Sequence, residues 1–139
     1  MSGETNFRKL LIALQPRLNP GEYVYCTVDS KSRALELDPL GLFAEAESVT
    51  VILPKSQADA LGLPYATTFA WITLTVHSSL EAVGLTAAVA KALTKTNISC
   101  NVVAAYYHDH IFVPAKDARQ AMHVLEALAG ENYEQQTGS

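Results

Sequence analysis

The stretch TLTVHSSLEAVGLTAAVAKALTKTNISCNVVAA, residues 73–105, decides the fold, because it contains a strand, a helix and a second strand in succession. Apolar side chains recur at i, i+3, i+4, i+7 and i+8 from Leu85 to Leu93, which is the spacing of one helix face. This spacing predicts a helix over 84–96. The runs on either side of it are rich in Thr, Val and Ile, which favours strands.

On the C-terminal side, β-branched and aromatic residues predict strands over 98–107 and 110–114, joined by a tight polar corner at 108–109. A last helix with an apolar face is predicted over 115–129. The polar residues that follow, 131–139, are expected to form a flexible tail.

On the N-terminal side, the unbroken apolar run over 66–76 is typical of a central strand. The residues before it predict, in chain order, a helix, a strand, a hairpin and a second helix: 6–14, 23–28, 40–54 and 55–63. VTVILPKSQADALGL and HIFVPAKDARQAMHVL each run from a strand through a proline into an Ala-rich helix, so Pro54 and Pro114 correspond. The chain is therefore predicted to contain two copies of a strand, helix, strand, strand, helix, strand unit, with an insertion near 29–39 in the first copy.

Composition and charge exclude several classes of protein. The 139 residues are 49% apolar and carry 14 acidic against 10 basic residues, so neither disorder nor nucleic-acid binding is expected. No run approaches the roughly 20 apolar residues of a membrane span, and the N-terminus lacks a secretory signal, so we expect a cytoplasmic protein with no membrane contact. Cys26 and Cys100 lie in separate apolar runs, which predicts buried thiols with no disulfide and no zinc.

The central stretch resembles the core of an ACT domain, the small module with which metabolic enzymes sense amino acids. The resemblance lies in the helix pattern GxxAxVAxAL at 84–93 and in Asn97 followed by Ile98 at the start of the next strand. The segment 71–128 is also similar to small tandem-ACT proteins of bacteria that have no fused enzyme, and to ACT repeats of arginine-sensing regulators. One feature departs from the common pattern, because HSSLEAV replaces the usual Asp and Pro before the glycine.

The resemblance implies an α+β fold of two ferredoxin-like (βαββαβ) ACT-type repeats, in which antiparallel sheets carry helices on one face. It implies a divergent ACT-like repeat over 1–65 and an ACT domain over 66–130. Such sheets leave an edge and a face uncovered. Pairing of repeats, within the chain or between chains, is therefore expected.

The junction between the central strand and the helix is the candidate amino-acid site. Helix N-termini bind anions, and Gly84 lets a carboxylate approach the backbone, although this glycine equally serves tight helix packing. Ser78 and Glu81 have the spacing of a capping box, while the resemblance to arginine sensors also directs Glu81 towards the ammonium or guanidinium of a ligand. Asp109 is either an ordinary turn residue or, by the same resemblance, an acidic ligand contact. The full predicted ligand-binding set is Ser78, Ser79, Glu81, Val83, Gly84, Leu85, Ala105, Tyr106 and Asp109.

Histidines and tyrosines also lie near this site in the sequence. His108 and His110 point to one side of a predicted strand, and His77 could join them if neighbouring strand ends converge. Because no third ligand lies nearby in sequence, no metal and no cofactor are expected. Tyr106 and Tyr107 alternate along a predicted strand, which places one in the core and leaves the other for a pocket or a dimer contact.

The sequence contains no recognisable motif for a nucleophile, a P-loop or a dinucleotide site, so we expect a protein that is not an enzyme. The leading hypothesis is a regulatory, allosteric module that binds an amino acid at an interface between ACT repeats. The alternative is a structural adaptor without a ligand, whose ACT-like repeats pair with themselves or with an unidentified protein. Both hypotheses lead us to expect a homodimer or a higher homo-oligomer.

Overall fold

Residues 20–70 form one of two compact units in the computed structural model, which describes residues 11, 14–75 and 83–137. We call this the inserted unit, because residues 1–19 and 71–139 together form the other, which we call the split unit. The boundary expected at residue 65 follows the order of the repeats along the chain. Compactness instead assigns the first 19 residues to the same unit as the C-terminal repeat.

Seven strands and four α-helices form the described part of the chain. In chain order they are β1 (Arg17–Leu18), β2 (Tyr23–Val28), α1 (Lys31–Glu36), β3 (Gly41–Ala44), β4 (Val49–Pro54), α2 (Lys55–Leu61), β5 (Phe69–Leu74), α3 (Val83–Lys95), β6 (Asn101–Ala104), β7 (Asp109–Pro114) and α4 (Ala118–Thr137), with a 3-10 turn (Ala115–Asp117) before α4. None of these helices has the length and apolar character that a bilayer-spanning segment requires.

The inserted unit contains the complete order of a ferredoxin-like repeat, from β2 to the first residues of β5. Its strands pair in the order β3-β4-β2-β5 and are antiparallel. Val51 of β4 lies opposite Cys26 and Leu42, and Tyr23 lies opposite Phe69. The α+β fold and the antiparallel sheet that the sequence predicts are confirmed in this unit.

Strand alternation directs one face of this sheet towards α1 and α2. Burying each Val or Leu side chain of that face contributes roughly 1.5–3 kcal/mol. The buried cluster consists of Val24, Cys26, Val28, Ala34, Leu37, Val49, Val51, Leu53 and Ala58. The side chains that alternate towards this face along β2 and β4 thus form the core, as expected for a sheet with helices on one face.

Residues 31–36 form a helix, so the predicted insertion near 29–39 is wrong. The Ser30 side chain caps α1 by accepting a hydrogen bond from the Arg33 backbone N–H at 3.1 Å. Ala34 is the buried residue of this helix. Six residues with one buried side chain are too few to display helical periodicity, which explains why the sequence pattern did not reveal the helix.

The predicted hairpin and second helix of this unit are confirmed. The Glu45 N–H donates to the Ser48 carbonyl at 3.0 Å and closes the turn between β3 and β4. Gly62 ends α2 in the left-handed region at φ 70°, with its N–H bonded to the helix carbonyls of Ala58 and Asp59. This is the conformation for which glycine is favoured after a helix.

The split unit repeats the same strand order, but its last strand comes from the start of the chain. β6 pairs with β7, β7 lies beside β5, and β5 pairs antiparallel with β1. Arg17 lies opposite Thr73, and Leu18 lies opposite Ile72. A ferredoxin-like repeat that begins at β5 has no fourth strand after α4 among the described residues, and β1 supplies it.

The predicted central helix is confirmed to within one residue at each end, as α3. Its predicted apolar face is buried, and the core of the split unit includes Leu85, Val89 and Leu93 of α3 together with Ile72, Leu74, Ile111, Val113, Ala121 and Leu125. Asn97 adopts a φ of 60° after α3, and the Ile98 N–H returns to the Leu93 carbonyl at 3.0 Å. The left-handed conformation of Asn97 thus ends α3, and the chain continues into β6.

Three boundaries differ from the predictions. The last helix ends at Thr137 rather than at residue 129, because the Glu and Gln residues of its last turns have a high helix propensity. The strand predicted over 98–107 is confined to β6, and the predicted corner at 108–109 is instead a turn over 105–108. The helix predicted over 6–14 lies outside the described residues except for Leu11 and Leu14, which are both buried.

Candidate ligand site

The C-terminal end of β5 and the beginning of β7 lie side by side in the split unit. The Thr73 hydroxyl is 3.1 Å from His110 Nδ1, and Asp109 immediately precedes this histidine. The chain leaves β5 after Leu74 and begins α3 at Val83. The end of β5 therefore lies beside the start of β7 and is followed in the chain by the segment that leads into α3.

The first turn of α3 contains three of the predicted site residues. Val83 is its first residue, Gly84 is exposed, and the Leu85 side chain is buried in the core at 1% exposure. The first N–H groups of an α-helix have no partner within the helix. Gly84 leaves their surroundings free of a side chain, whereas Leu85 offers only its backbone to a ligand.

Asp109 is the first residue of β7 and is only 3% exposed. It lies opposite Ala104 in the hairpin of β6 and β7. The interpretation of Asp109 as a turn residue is therefore wrong, because the turn is formed by the four residues before it. A carboxylate at this depth is costly unless polar groups surround it.

A polar cluster that the sequence did not reveal lies next to Asp109. Asn19 donates through Nδ2 to the Thr73 hydroxyl at 2.9 Å and to the Trp71 carbonyl at 3.2 Å. Trp71 donates through Nε1 to His110 Nδ1 at 3.0 Å. Asn19 and Thr73 are buried, at 8% and 3% exposure. Residues 19, 71–73 and 110 are far apart in sequence, so no local pattern could indicate their contact.

This cluster fixes the protonation of His110. An indole N–H can only donate, so Nδ1 must accept and the ring proton of the neutral imidazole lies on Nε2. Burial lowers the pKa of His110, and the positive charge that His108 carries when protonated lowers it further, while Asp109 acts in the opposite direction. His110 is therefore held neutral at physiological pH.

The remaining predicted residues are placed as follows. Tyr106 and Tyr107 occupy the turn between β6 and β7 and are 87% and 65% exposed, so the prediction that one of them lies in the core is wrong. Ala105 is half-buried, and its N–H donates to the His108 carbonyl at 3.0 Å. Ser78, Ser79 and Glu81 lie outside the described residues, as does His77.

No group of three or more His, Cys, Asp or Glu side chains converges as a metal site within residues 11, 14–75 and 83–137.

A groove of about 650 Å³ in the inserted unit is lined by residues 20–23, 54–56 and Asp59. Lys55 Nζ lies 2.8 Å from Asp59 Oδ2, and the Tyr65 hydroxyl donates to Asp59 Oδ1 at 2.6 Å. The hydrogen bond from Lys55, followed by that from Tyr65, lowers the pKa of Asp59. Lys55 thus neutralises Asp59, which leaves Glu22 as the remaining charged side chain of the groove.

Two ACT-domain family models match the chain in tandem, over residues 2–70 and 67–127. A protein of unknown function from Vibrio cholerae, described as a possible transport protein, is 45% identical over 91% of this chain and 98% of its own, with a TM-score of 0.83. No curated protein matches the chain.

Two more distant structures share the fold. The ligand-free regulatory subunit of aspartate kinase from Thermus thermophilus is 10% identical over 84% of this chain and 97% of its own, with a TM-score of 0.60. Aspartokinase III of E. coli, in complex with aspartate and ADP, is 16% identical over 81% of this chain and 32% of its own, with a TM-score of 0.57. These likenesses confirm the tandem ferredoxin-like repeats that the sequence predicts.

Proposed function

The chain belongs to the ACT-domain family, and on that premise we propose that it is a non-catalytic regulatory module that binds an amino acid where ACT repeats meet. Family membership and the fold shared with aspartate kinase regulatory subunits support a regulatory, amino-acid-sensing role. The proposal takes the named ligand contacts from the split unit, has a second repeat complete the site, and requires no metal or cofactor.

The observation that carries the proposal is the burial of Asp109 next to the end of β5. A free amino acid has a carboxylate and an ammonium a few ångströms apart, so its site needs a donor group and an acid at a similar separation. In the proposal, the first N–H groups of α3 around Gly84 bind the carboxylate. Asp109 accepts hydrogen bonds from the ammonium.

The segment before α3 completes the proposed site. Ser78 and Ser79 add hydroxyl donors for the carboxylate, and Glu81 provides a second acid, which suits a cationic ligand side chain. Ala105 and Tyr106 contribute the wall on the side of the β6–β7 hairpin.

Regulation follows if the ligand binds two states of the assembly with different affinity. A ligand with equal affinity for both states shifts nothing, however tightly it binds. A site completed by two repeats meets this requirement, because its contacts depend on how those repeats are arranged. Ligand binding then increases the population of the state with the higher affinity, and a partner meets the surface of that state.

The direct test is thermal denaturation of the purified protein with each of the twenty amino acids. A ligand at 100 times its Kd stabilises the folded state by about 2.7 kcal/mol, which raises the Tm by several degrees. Absence of a shift with every amino acid would favour the ligand-free adaptor instead.

Asp109→Asn tests the site while keeping the shape of the side chain. Loss of a hydrogen bond to a charged group costs about 1.5–3 kcal/mol, so Asp109→Asn should weaken ligand binding at least tenfold. Asp59→Asn in the inserted unit is the matched control and should bind the ligand like the wild type. Glu81→Ala is a second site variant, which covers the outcome that Asp109→Asn disturbs the fold. If both site variants respond to the ligand like the wild type, the assignment of the site is wrong.

A further inference from the structure

The strand β3 lies at the edge of the inserted unit and, within the described residues, pairs only with β4. The Glu45 N–H donates to the Ser48 carbonyl at 3.0 Å, which makes 45 and 48 a hydrogen-bonded pair. Such pairs alternate along an antiparallel ladder, so Phe43 also bonds to β4, whereas Leu42 and Ala44 point their N–H and C=O groups away from it. β3 thus offers four outward backbone groups with which another strand can pair.

Apolar side chains are exposed along this edge. Leu40, Leu42 and Phe43 are 41%, 38% and 71% exposed. Leu42 lies opposite Val51 of the core and therefore on the face that the helices cover, while alternation directs Phe43 to the other face. A strand placed beside β3 therefore buries apolar side chains on both faces of the sheet.

Acidic residues flank β3 on both sides. The stretch ELDPLGLFAEAE, 36–47, contains four acids and no Lys, Arg or His, and the strand itself, 41–44, is uncharged. The corresponding stretch of the second repeat, ISCNVVAAYY at 98–107, contains no acid at all. The fold therefore does not require acids at this edge.

Two of the four acids are available to a partner. Glu36 forms an ion pair within α1 at 3.5 Å, and Glu45 accepts a hydrogen bond from the Thr50 hydroxyl at 2.5 Å. Asp38 and Glu47 are exposed, and neither forms an ion pair with another side chain of the part of the chain that the structure describes. They attract positive charge to both ends of an apolar strand.

A second copy of this chain does not suit this edge. The antiparallel register that matches the outward groups places Phe43 opposite Phe43 of the second copy and brings Glu47 of each copy towards Asp38 of the other. Like charges that meet across a strand pair are destabilising. The charges favour a different chain, with Lys or Arg at those positions.

We propose that β3 is the docking edge for a partner protein, which adds to the sheet an extended segment with apolar residues at its centre and Lys or Arg at both ends. The outward groups of Leu42 and Ala44 bond to the partner's backbone, which gives affinity, and the side chains give specificity. A central apolar residue of the partner lies opposite Phe43, and its cationic ends meet Asp38 and Glu47. This surface belongs to the inserted unit and uses none of the residues of the proposed ligand site.

The probe is a fluorescent nine-residue peptide with two lysines at each end and, between them, valine alternating with threonine around a central valine. Fluorescence anisotropy should show saturable binding to the wild type that weakens as salt is added, because exposed charges are screened. A second peptide, with proline in place of both threonines, keeps the charge but lacks the N–H groups that would meet Leu42 and Ala44. It should bind at least tenfold more weakly. A third peptide, with glutamate in place of lysine, should not bind.

Phe43→Thr tests the apolar contact while keeping a residue that favours strands. It should raise the dissociation constant of the lysine peptide at least threefold. Val103→Thr, at the equivalent position of β6, is the matched control and should bind this peptide like the wild type.

Asp38→Asn combined with Glu47→Gln tests the charges while keeping the shapes of the side chains. Asparagine also tolerates the φ of 49° at position 38. The double variant should bind the lysine peptide at least threefold more weakly at low salt and should show a shallower salt dependence. Asp117→Asn combined with Glu126→Gln removes the same charge from the split unit and should bind like the wild type.

Circular dichroism melting of each variant verifies that it is folded. A lysine peptide that does not bind at several hundred micromolar would overturn the proposal, and so would a proline peptide that binds as tightly, since charge alone would then attract it. Unchanged binding in Phe43→Thr and in the double acidic variant would also overturn it. If sedimentation velocity shows a wild-type dimer that Phe43→Thr dissociates, the occupant is a second copy and the proposal is wrong. None of these outcomes depends on an amino-acid ligand, so this proposal and the proposed function can fail independently.

Discussion

Replacing His110 by asparagine should remove a pH dependence of stability that arises in the split unit. Nδ1 of His110 accepts from Trp71 Nε1 at 3.0 Å and lies 3.1 Å from the Thr73 hydroxyl. The Thr73 oxygen already accepts from Asn19, so its proton can be directed at the same Nδ1. A proton on Nδ1 would therefore displace two donors at once, which disfavours the charged imidazole in the folded state.

The sign of the effect follows from the lowered pKa of His110. Above the ordinary pKa of histidine, the imidazole is neutral in both the folded and the unfolded state, and the full stability is present. As the pH falls below that value, the unfolded state binds the proton first. Stability is then lost until the pH has passed through the lower pKa of the folded state, at a slope of at most about 1.4 kcal/mol per pH unit for one proton.

Asparagine is the informative replacement, because its Oδ1 can accept from Trp71 in place of Nδ1 but takes up no proton in this range. The measurement is urea unfolding between pH 7.5 and pH 5, followed by circular dichroism. The difference in unfolding free energy between wild type and His110→Asn should shrink as the pH falls, since only the wild type loses the His110 contribution. His123→Gln, at an exposed position of α4, is the control and should follow the wild type.

A difference between wild type and His110→Asn that stays constant with pH would refute this reasoning. Trp71→Phe provides an independent check, because it removes one of the two donors to Nδ1. We expect it to cost about 0.5–1.5 kcal/mol at neutral pH, the usual value of one hydrogen bond, and to reduce the loss of stability in acid.

The remaining predictions concern local contributions to stability, from one helix cap and from two glycines. Ser30→Ala removes the side-chain cap of α1 and should lower the unfolding free energy by about 1 kcal/mol, whereas Ser30→Asp should retain most of it, as measured by thermal unfolding. Gly62→Ala forces a Cβ into a residue at φ 70° and should destabilise the protein by about 1 kcal/mol even though that Cβ would meet no atom within 4 Å. Gly130→Ala, inside α4 and equally free of contacts, should instead stabilise by about 0.5–1 kcal/mol. Equal changes in unfolding free energy for Gly62→Ala and Gly130→Ala would show that backbone conformation does not determine the effect of these substitutions.

Local patterns in the sequence were sufficient for most elements of both repeats. The strand β2, the hairpin of β3 and β4, and the helix α3 each contain enough residues to display their period, and each is confirmed. The helix α1 is too short to display a period and was not predicted. The proline and glycine at the ends of α2 act within a few residues, so its bounds were readable as well.

The candidate site was predictable only in part. The sequence indicated Gly84 and Asp109, but it assigned Asp109 to a turn and placed one of Tyr106 and Tyr107 in the core. Both errors have one cause, a hairpin whose two central turn residues, 106 and 107, lie two residues earlier than the polar pair His108 and Asp109 indicates. This shift moves Tyr106 and Tyr107 from the predicted strand into an exposed turn and moves Asp109 from the predicted turn into β7.

The sequence by itself determined the repeat and the fold class, because alternation and helical spacing report which side of an element is apolar. The family was indicated separately, by the resemblance of residues 84–98 to the ACT pattern. Only the tertiary structure decided which elements become neighbours. It supplied the fourth strand of the split unit from Arg17 and Leu18, more than fifty residues before β5 in the chain. It also joined Asn19, Thr73 and His110 in one polar cluster. The physical reason is that a period identifies the face that must be buried, while the partner of that face is selected by packing and hydrogen bonding across the whole chain.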